Sequence, residues 1–258
     1  MLRQVLIICT LVAVAFAGTI RDSDFQSRIV GGAPAVDGQF PYQISLRSFP
    51  ALGHFCGGSI ISEHWTLSAA HCTINRTPAN TRIVTGTVLL NGGAAPVQRE
   101  VSRIVNHPNY DSALIAQDVC VVRVTVPFVW TQNVQPIRVG SEFIGGGVTA
   151  IVSGWGGTTV NGGAAPNNLQ WIAKQTITNA DCRVRMGTAN ERFVIDSKIC
   201  TFTQAGQGIC QGDSGGPLTA AGSVIGIVSW NIPCARGFPD GFDRVSHWHS
   251  WINENAVG

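Results

Sequence analysis

What constrains this chain most is a series of short β-branched and aromatic runs interrupted by glycine-rich turns. The runs are Tyr42–Leu46, Ser59–Ile61, Arg82–Leu90, Val101–Val105, Val119–Val126, Val148–Val152, Trp171–Ile177 and Ser223–Trp230, with clusters such as Asn91-Gly92-Gly93 and Asn161-Gly162-Gly163 between them. Segments of this length and composition, bounded by turn formers, predict an all-β sandwich or barrel. Glycine, 30 of 258 residues, is roughly 12% against a usual figure of about 7%, and it has no triplet period; tight turns are indicated and collagen is excluded. Charged residues make up only 12% of the chain and AVILMFWYC 45%, which excludes a disordered or coiled-coil protein. A net charge of +2 with no basic run gives no reason to expect nucleic acid. The segment Asn91–Pro96 nearly recurs as Asn161–Pro166, too short for a structural repeat and read as two similar surface turns. Near the end, Trp248, Trp251 and Ile252 at spacings of three to four residues predict a short amphipathic helix over Ser246–Glu254.

The first residues have a different character. Arg3 precedes an apolar run from Val5 to Ala17 that ends in Ala15-Phe16-Ala17, the pattern of a secretory signal. A membrane anchor is the alternative, but the run falls short of the roughly 20 residues a spanning helix needs. Residues 1–17 are therefore set aside as a signal, and no membrane association is expected. Residues 18–28 read as a polar tether, carrying Arg21, Asp22, Asp24 and Arg28. From Ile29 to Gly258 no linker is evident, so this is one unit. The 8 cysteines suggest an oxidising compartment. Cys9 leaves with the signal, and the remainder is odd in number, so at least one thiol stays unpaired or pairs outside the chain.

Three patches carry chemistry. In Gly212-Asp213-Ser214-Gly215-Gly216-Pro217 a serine flanked by glycines sits where backbone N–H groups can converge on a developing oxyanion. In Thr66-Leu67-Ser68-Ala69-Ala70-His71-Cys72 a histidine adjoins a cysteine, and a disulfide there would pin the backbone of a base. Asp118 opens the apolar run Asp118–Val124, and an acid at the head of a half-buried strand is costly unless paired, for instance with an imidazolium. Taken singly, the three also read as a turn, a structural histidine and a loop-capping aspartate.

Together these patches resemble the chymotrypsin family of serine proteases. The chain order His71, Asp118, Ser214 is that family's order, and the resemblance extends from Ile29-Val30-Gly31-Gly32 through Phe55-Cys56-Gly57-Gly58-Ser59, Ser153-Gly154-Trp155-Gly156 and Ser229-Trp230 to Trp251-Ile252. It implies an all-β fold of two six-stranded antiparallel Greek-key β-barrels with a short C-terminal helix and the active site between the barrels. It implies Ser214 as nucleophile, His71 as general base and acid, Asp118 as the group that orients the imidazole, and the N–H groups of Gly212 and Ser214 as oxyanion hole. It pairs Cys56 with Cys72, Cys182 with Cys200 and Cys210 with Cys234, leaving Cys120 as a buried apolar thiol. Arg28-Ile29 resembles a zymogen processing bond, so that residues 18–28 form an activation propeptide. The new α-ammonium of Ile29 would pair with Asp213, which His54 can hold beforehand.

For substrate binding the resemblance places Gly208 at the floor of the specificity pocket and Ser229, Trp230 and Asn231 along its wall. A glycine floor leaves depth for Phe, Leu, Tyr or Met. Asn231 replaces a usual glycine and narrows the entrance, and Asp240 falls on the wall. Two orientations of Asp240 stay open: into the pocket, where it would admit some Arg or Lys, or out to solvent. A glycine floor with a wall aspartate resembles broad-specificity crustacean collagenolytic proteases and some insect chymotrypsins. The loop from Thr85 to Arg99 holds no acidic residue, so the calcium site of some relatives is not expected, and no metal or other cofactor is. Asn75-Arg76-Thr77 is a glycosylation sequon followed by Pro78. The expected partners are protein and peptide substrates, an activating trypsin-like protease and protein inhibitors of a secreted, monomeric, digestive enzyme. The rival readings are a catalytically inactive binding homologue and a narrowly selective regulatory protease.

Overall fold

The apolar side chains of the strands close around two separate cores. The computed structural model describes residues 29–93, 96–160, 162–232 and 234–257. The signal, the tether with Arg28, and parts of the two look-alike turns lie outside the described residues. Strands β1 (Ala33–Pro34) to β7 come first: β2 (Gln43–Ser48), β3 (Gly53–Ile60), β4 (Trp65–Ser68), β5 (Thr81–Thr85), β6 (Val97–Asn106) and β7 (Cys120–Val124). The last six close into an antiparallel barrel in the order β2-β3-β4-β7-β6-β5. Strands β8 (Arg138–Val139), β9 (Thr149–Gly154), β10 (Gln170–Ile177), β11 (Lys198–Phe202), β12 (Pro217–Ala220), β13 (Ser223–Asn231) and β14 (Asp240–Arg244) follow. Here the ring runs β9-β10-β11-β14-β13-β12 and returns to β9, with β1 added antiparallel to β10 and β8 parallel to β13.

Ile44, Leu46, Ile60, Leu67, Ile83 and Val122 fill the first barrel, and Ile29, Val152, Ile172, Ile199, Leu218 and Phe242 fill the second. Among the described residues there are three α-helices: α1 (Ala70–Thr73), α2 (Asn179–Met186) and α3 (Val245–Asn255). Helix α3 covers the expected Ser246–Glu254; it buries Trp248 and Ile252 together with Val245, while Trp251 is only partly buried against the same core. The two-barrel fold and terminal helix expected from the resemblance are thus present.

Several elements differ from the sequence reading. The run Arg82–Leu90 ends as strand at Thr85, because Gly86 takes φ +77° and leaves the ladder. Strands β4, β11, β12 and β14 and helix α2 were not anticipated. Helix α2 is capped by Thr178, whose hydroxyl accepts from the Asp181 N–H at 3.1 Å. The three disulfides are Cys56–Cys72, Cys182–Cys200 and Cys210–Cys234, as the resemblance implied. Cys120 is free and buried, and burial pushes its thiol up to about 12, which leaves it protonated and unreactive.

Candidate active site

The first barrel supplies the imidazole and its carboxylate. His71 lies in α1, directly after β4, where the Cys56–Cys72 disulfide ties this turn to β3. Asp118 precedes β7, which pairs with β4. Its Oδ1 accepts from the His71 backbone N–H at 2.8 Å and its Oδ2 meets His71 Nδ1 at 2.7 Å. Since a carboxylate only accepts, Nδ1 carries the proton and Nε2 is left as the basic nitrogen. Ser229 Oγ also donates to Asp118 Oδ2, at 2.7 Å, so the fully buried carboxylate is held by three donors. The sequence reading had Ser229 only as a pocket wall.

The second barrel supplies the serine. Ser214 sits in the turn before β12 and is half-buried; its carbonyl accepts from the Gly57 N–H of β3 at 2.8 Å, joining the two barrels at the site. Gly215 has φ +75°, and a Cβ there would overlap Ser68 Oγ, so no other residue fits that step of the turn. The N–H groups of Gly212 and Ser214 donate to no acceptor among the described residues. Gly212 reaches this arrangement with φ +102°, and its carbonyl accepts from His54 Nε2 at 2.9 Å. His71, Gly212 and Ser214 line one open cleft of about 440 Å³ with Phe55, Asn75, Arg76 and Gln211. No hydrogen bond joins Ser214 Oγ to His71 Nε2 among the described residues; such contacts are often loose without substrate and tighten in its presence. Cys56, His71 and Cys72 bring donor atoms close together, but both sulfurs are spent in the disulfide and do not form a metal donor set.

The buried Asp213 lies beneath the turn. Its Oδ1 accepts from the Gly156 N–H at 2.7 Å and its Oδ2 from the Cys210 N–H at 2.9 Å. A Cβ on Gly154 or Gly156 would overlap this carboxylate, which explains the glycines of Ser153-Gly154-Trp155-Gly156. Asp213 has no ion pair among the described residues, and burial raises it to about 7. His54 does not hold it here: its Nδ1 meets Ser45 Oγ at 2.8 Å, its Nε2 meets Gly212, and burial lowers it to about 4, so the ring is neutral. Ile29 is fully buried in the second core with φ +47°, unusual for a β-branched residue.

Of the residues assigned to the specificity pocket, Asn231 and Asp240 contact the Gly208 segment. Val30 and Gly208 form a bridge, with the Gly208 N–H donating to Val30 at 3.1 Å. Trp230 and Ser229 are buried on β13, and Asn231 Nδ2 donates to the Ile209 carbonyl at 3.0 Å, linking the wall strand to the floor segment. Asp240 takes neither an open nor a solvent-facing role. It is buried, both its oxygens lie 3.2 Å from where a Cβ on Gly208 would stand, and Lys174 Nζ is 2.5 Å from its Oδ2. Sequence reasoning missed Lys174. On the strand it shares the buried face of Gln170, Ile172 and Thr176, a face too polar in sequence to be read as core.

The chain matches the model of the Trypsin family over residues 29–252. The chain belongs to the trypsin family. Over 230 residues it is 42% identical to Chymotrypsin-2 from Vespa crabro, covering 89% of this chain and all of that one. It is 38% identical over 242 residues to Trypsin-1 from Astacus astacus, with the same two shares, and 33% over 252 residues to Anionic trypsin from Bos taurus, covering 96% and 98%. As a member of this trypsin family it is a serine endopeptidase acting on protein substrates. Its relatives include both trypsins and a chymotrypsin, so family membership leaves side-chain preference to the pocket.

Proposed function

We propose that this endopeptidase is a secreted digestive zymogen, made with a signal over residues 1–17 and a propeptide over 18–28, and that it cleaves after large apolar residues once Arg28-Ile29 is cut. Ser214 Oγ attacks the scissile carbonyl while His71 Nε2 takes its proton; the proton then passes to the leaving amine, and water hydrolyses the acyl-enzyme by the same relay. Asp118 keeps the proton on Nδ1 and stabilises the imidazolium that forms. The Gly212 and Ser214 N–H groups receive the oxyanion, and each such donor is worth about 3 kcal/mol at the transition state in related enzymes. The observation that carries this reading is the doubly bonded His71–Asp118 pair sharing a cleft with Ser214 and two uncommitted amides.

Specificity follows from the floor. Gly208 offers no side-chain charge, and the strand Ser229–Asn231 presents backbone to an extended substrate. Activation follows from Asp213: a buried carboxylate at its present cost is stabilised by an adjacent cation, and a freed Ile29 ammonium supplies one.

The test is Ser214→Ala in the processed enzyme. Peptide hydrolysis is expected to fall on the order of 10⁶-fold, with circular dichroism and thermal midpoint unchanged and phosphonate labelling abolished. Turnover retained in a preparation free of wild type would remove Ser214 from its role. Trypsin-like cleavage after Arg28 should switch the activity on, and a full-length chain already at full rate would contradict the zymogen.

A further inference from the structure

The chain has only two lysines, Lys174 and Lys198, and the fold buries both against aspartates of β14. One of them lies behind Gly208, the proposed pocket floor. Lys174 Nζ donates to Asp240 Oδ2 at 2.5 Å and to the Gln207 carbonyl at 3.3 Å, with side-chain exposures of 1% and 4% for the pair. The Ile209 N–H donates to the same carboxylate oxygen at 3.2 Å. Gly208, whose missing side chain would point at Asp240, is flanked by Gln207 and Ile209, both of which contact this pair.

We propose that Lys174 is a specificity-determining residue: its ammonium neutralises Asp240 beneath the pocket floor and so makes an aspartate-bearing pocket reject arginine and lysine. The inference rests on Gly208 being the floor, as proposed above. A carboxylate behind a glycine floor would otherwise be the natural partner for a substrate cation reaching down the pocket. Here its charge is already matched at hydrogen-bond distance by a cation that is itself buried. An incoming guanidinium would have to displace Lys174, stranding a buried ammonium, or bring a second cation beside it; either is costly in a desolvated site. Apolar side chains avoid both penalties. Specificity therefore comes from an ion pair that repels the wrong substrate as well as from the space that admits the right one.

The experiment measures kcat/KM on matched peptide substrates with Leu, Phe, Arg or Lys before the scissile bond, with active sites counted by a fluorescent phosphonate. It uses wild type, Lys174→Gln, Asp240→Asn and the double variant. Lys174→Gln keeps a donor for Asp240 while removing the charge, and it is expected to raise the Arg/Leu ratio by at least about tenfold. The double variant should return the ratio to the wild-type value. An unchanged ratio in titratable Lys174→Gln, or the same gain in the double variant, overturns the proposal. So does a wild type whose existing cleavage after arginine is lost in Asp240→Asn, since Asp240 would then already be available. Binding of p-aminobenzamidine to wild type gives a reading that needs no variant to fold: binding weaker than about millimolar is expected, and micromolar binding overturns the inference. A wild type that the phosphonate does not label would remove the reading of the site itself, and this inference with it.

Discussion

On the proposed pocket, the Asn231 side chain would limit how wide a group can pass toward Gly208. Its amide donates to Ile209 at 3.0 Å, so the wall strand and floor segment are tied across the entrance. Opening that tie for a broad aromatic ring sacrifices the bond, whereas a slimmer leucine or methionine demands less space. Asn231→Gly should therefore raise kcat/KM for Phe relative to Leu by about tenfold, a typical size for a small change in pocket shape. Equal gains on both substrates would place Asn231 outside the selection of ring width. At this scale the chemistry was legible in the sequence where neighbours in the chain are also neighbours in space: Gly212 to Gly216, or His71 beside Cys72. It was not legible where the partner is distant. Ser229 as a donor to Asp118, 111 positions away, and Lys174 as a partner to Asp240, 66 away, follow from strand register that no local pattern specifies.

Among the elements, β14 is where local propensity and tertiary structure disagree most. Asp240-Gly241-Phe242-Asp243-Arg244 holds residues depleted in strands, yet all five are buried. Its two carboxylates are matched by lysines, Asp240 by Lys174 of β10 and Asp243 by Lys198 of β11. Lys198 of β11 spends its three ammonium protons on Asp243 at 2.6 Å, Ser229 at 2.9 Å and the Ile115 carbonyl at 2.5 Å, while Trp248 of α3 donates to the other Asp243 oxygen at 3.0 Å. A run of hydrogen bonds thus leads from α3 through β14, β11 and β13 to the Asp118 carboxylate. Strands β2, β9, β10 and β13 were readable because apolar residues recur along them between turn formers; β11 and β14 were not, because paired charges in a core look like loop residues to any local rule. The pair predicts a defined asymmetry. Lys198→Met strands a buried carboxylate and should destabilise the protein by roughly 3–5 kcal/mol, lowering its thermal midpoint by on the order of 10 °C. Adding Asp243→Asn removes the stranded charge, keeps an acceptor for Trp248 and should recover part of the loss. A double variant no more stable than Lys198→Met alone would show that the stranded charge is not the cause.

Over the whole molecule, the site is assembled from both barrels, and on the proposed activation scheme its state depends on a carboxylate that gains its counter-charge on cleavage. In the uncut chain the Ile29 nitrogen is an uncharged amide, and among the described residues Asp213 is held by two backbone N–H groups, with its pKa raised to about 7 by burial. An unfolded aspartate loses its proton near 3.8, so between about pH 4 and pH 7 the folded uncut chain binds the extra proton. The contribution of Asp213 is then fully present below pH 4 and declines by roughly 1.4 kcal/mol per pH unit as the pH rises through that window. Cleavage after Arg28 would place an ammonium beside the carboxylate, lower its pKa and reverse this trend. Thermal midpoints of processed enzyme and of an uncleavable Arg28→Ala chain, both carrying Ser214→Ala to prevent self-digestion, should therefore nearly coincide near pH 4 and separate by pH 7.5, the processed form higher. In Asp213→Asn versions of the two chains the separation should vanish, because the amide neither titrates nor attracts the new terminus. A gap independent of pH, or one that survives in Asp213→Asn, would mean that cleavage stabilises the barrels through the release of Ile29 from its strained backbone and not through a charge pair.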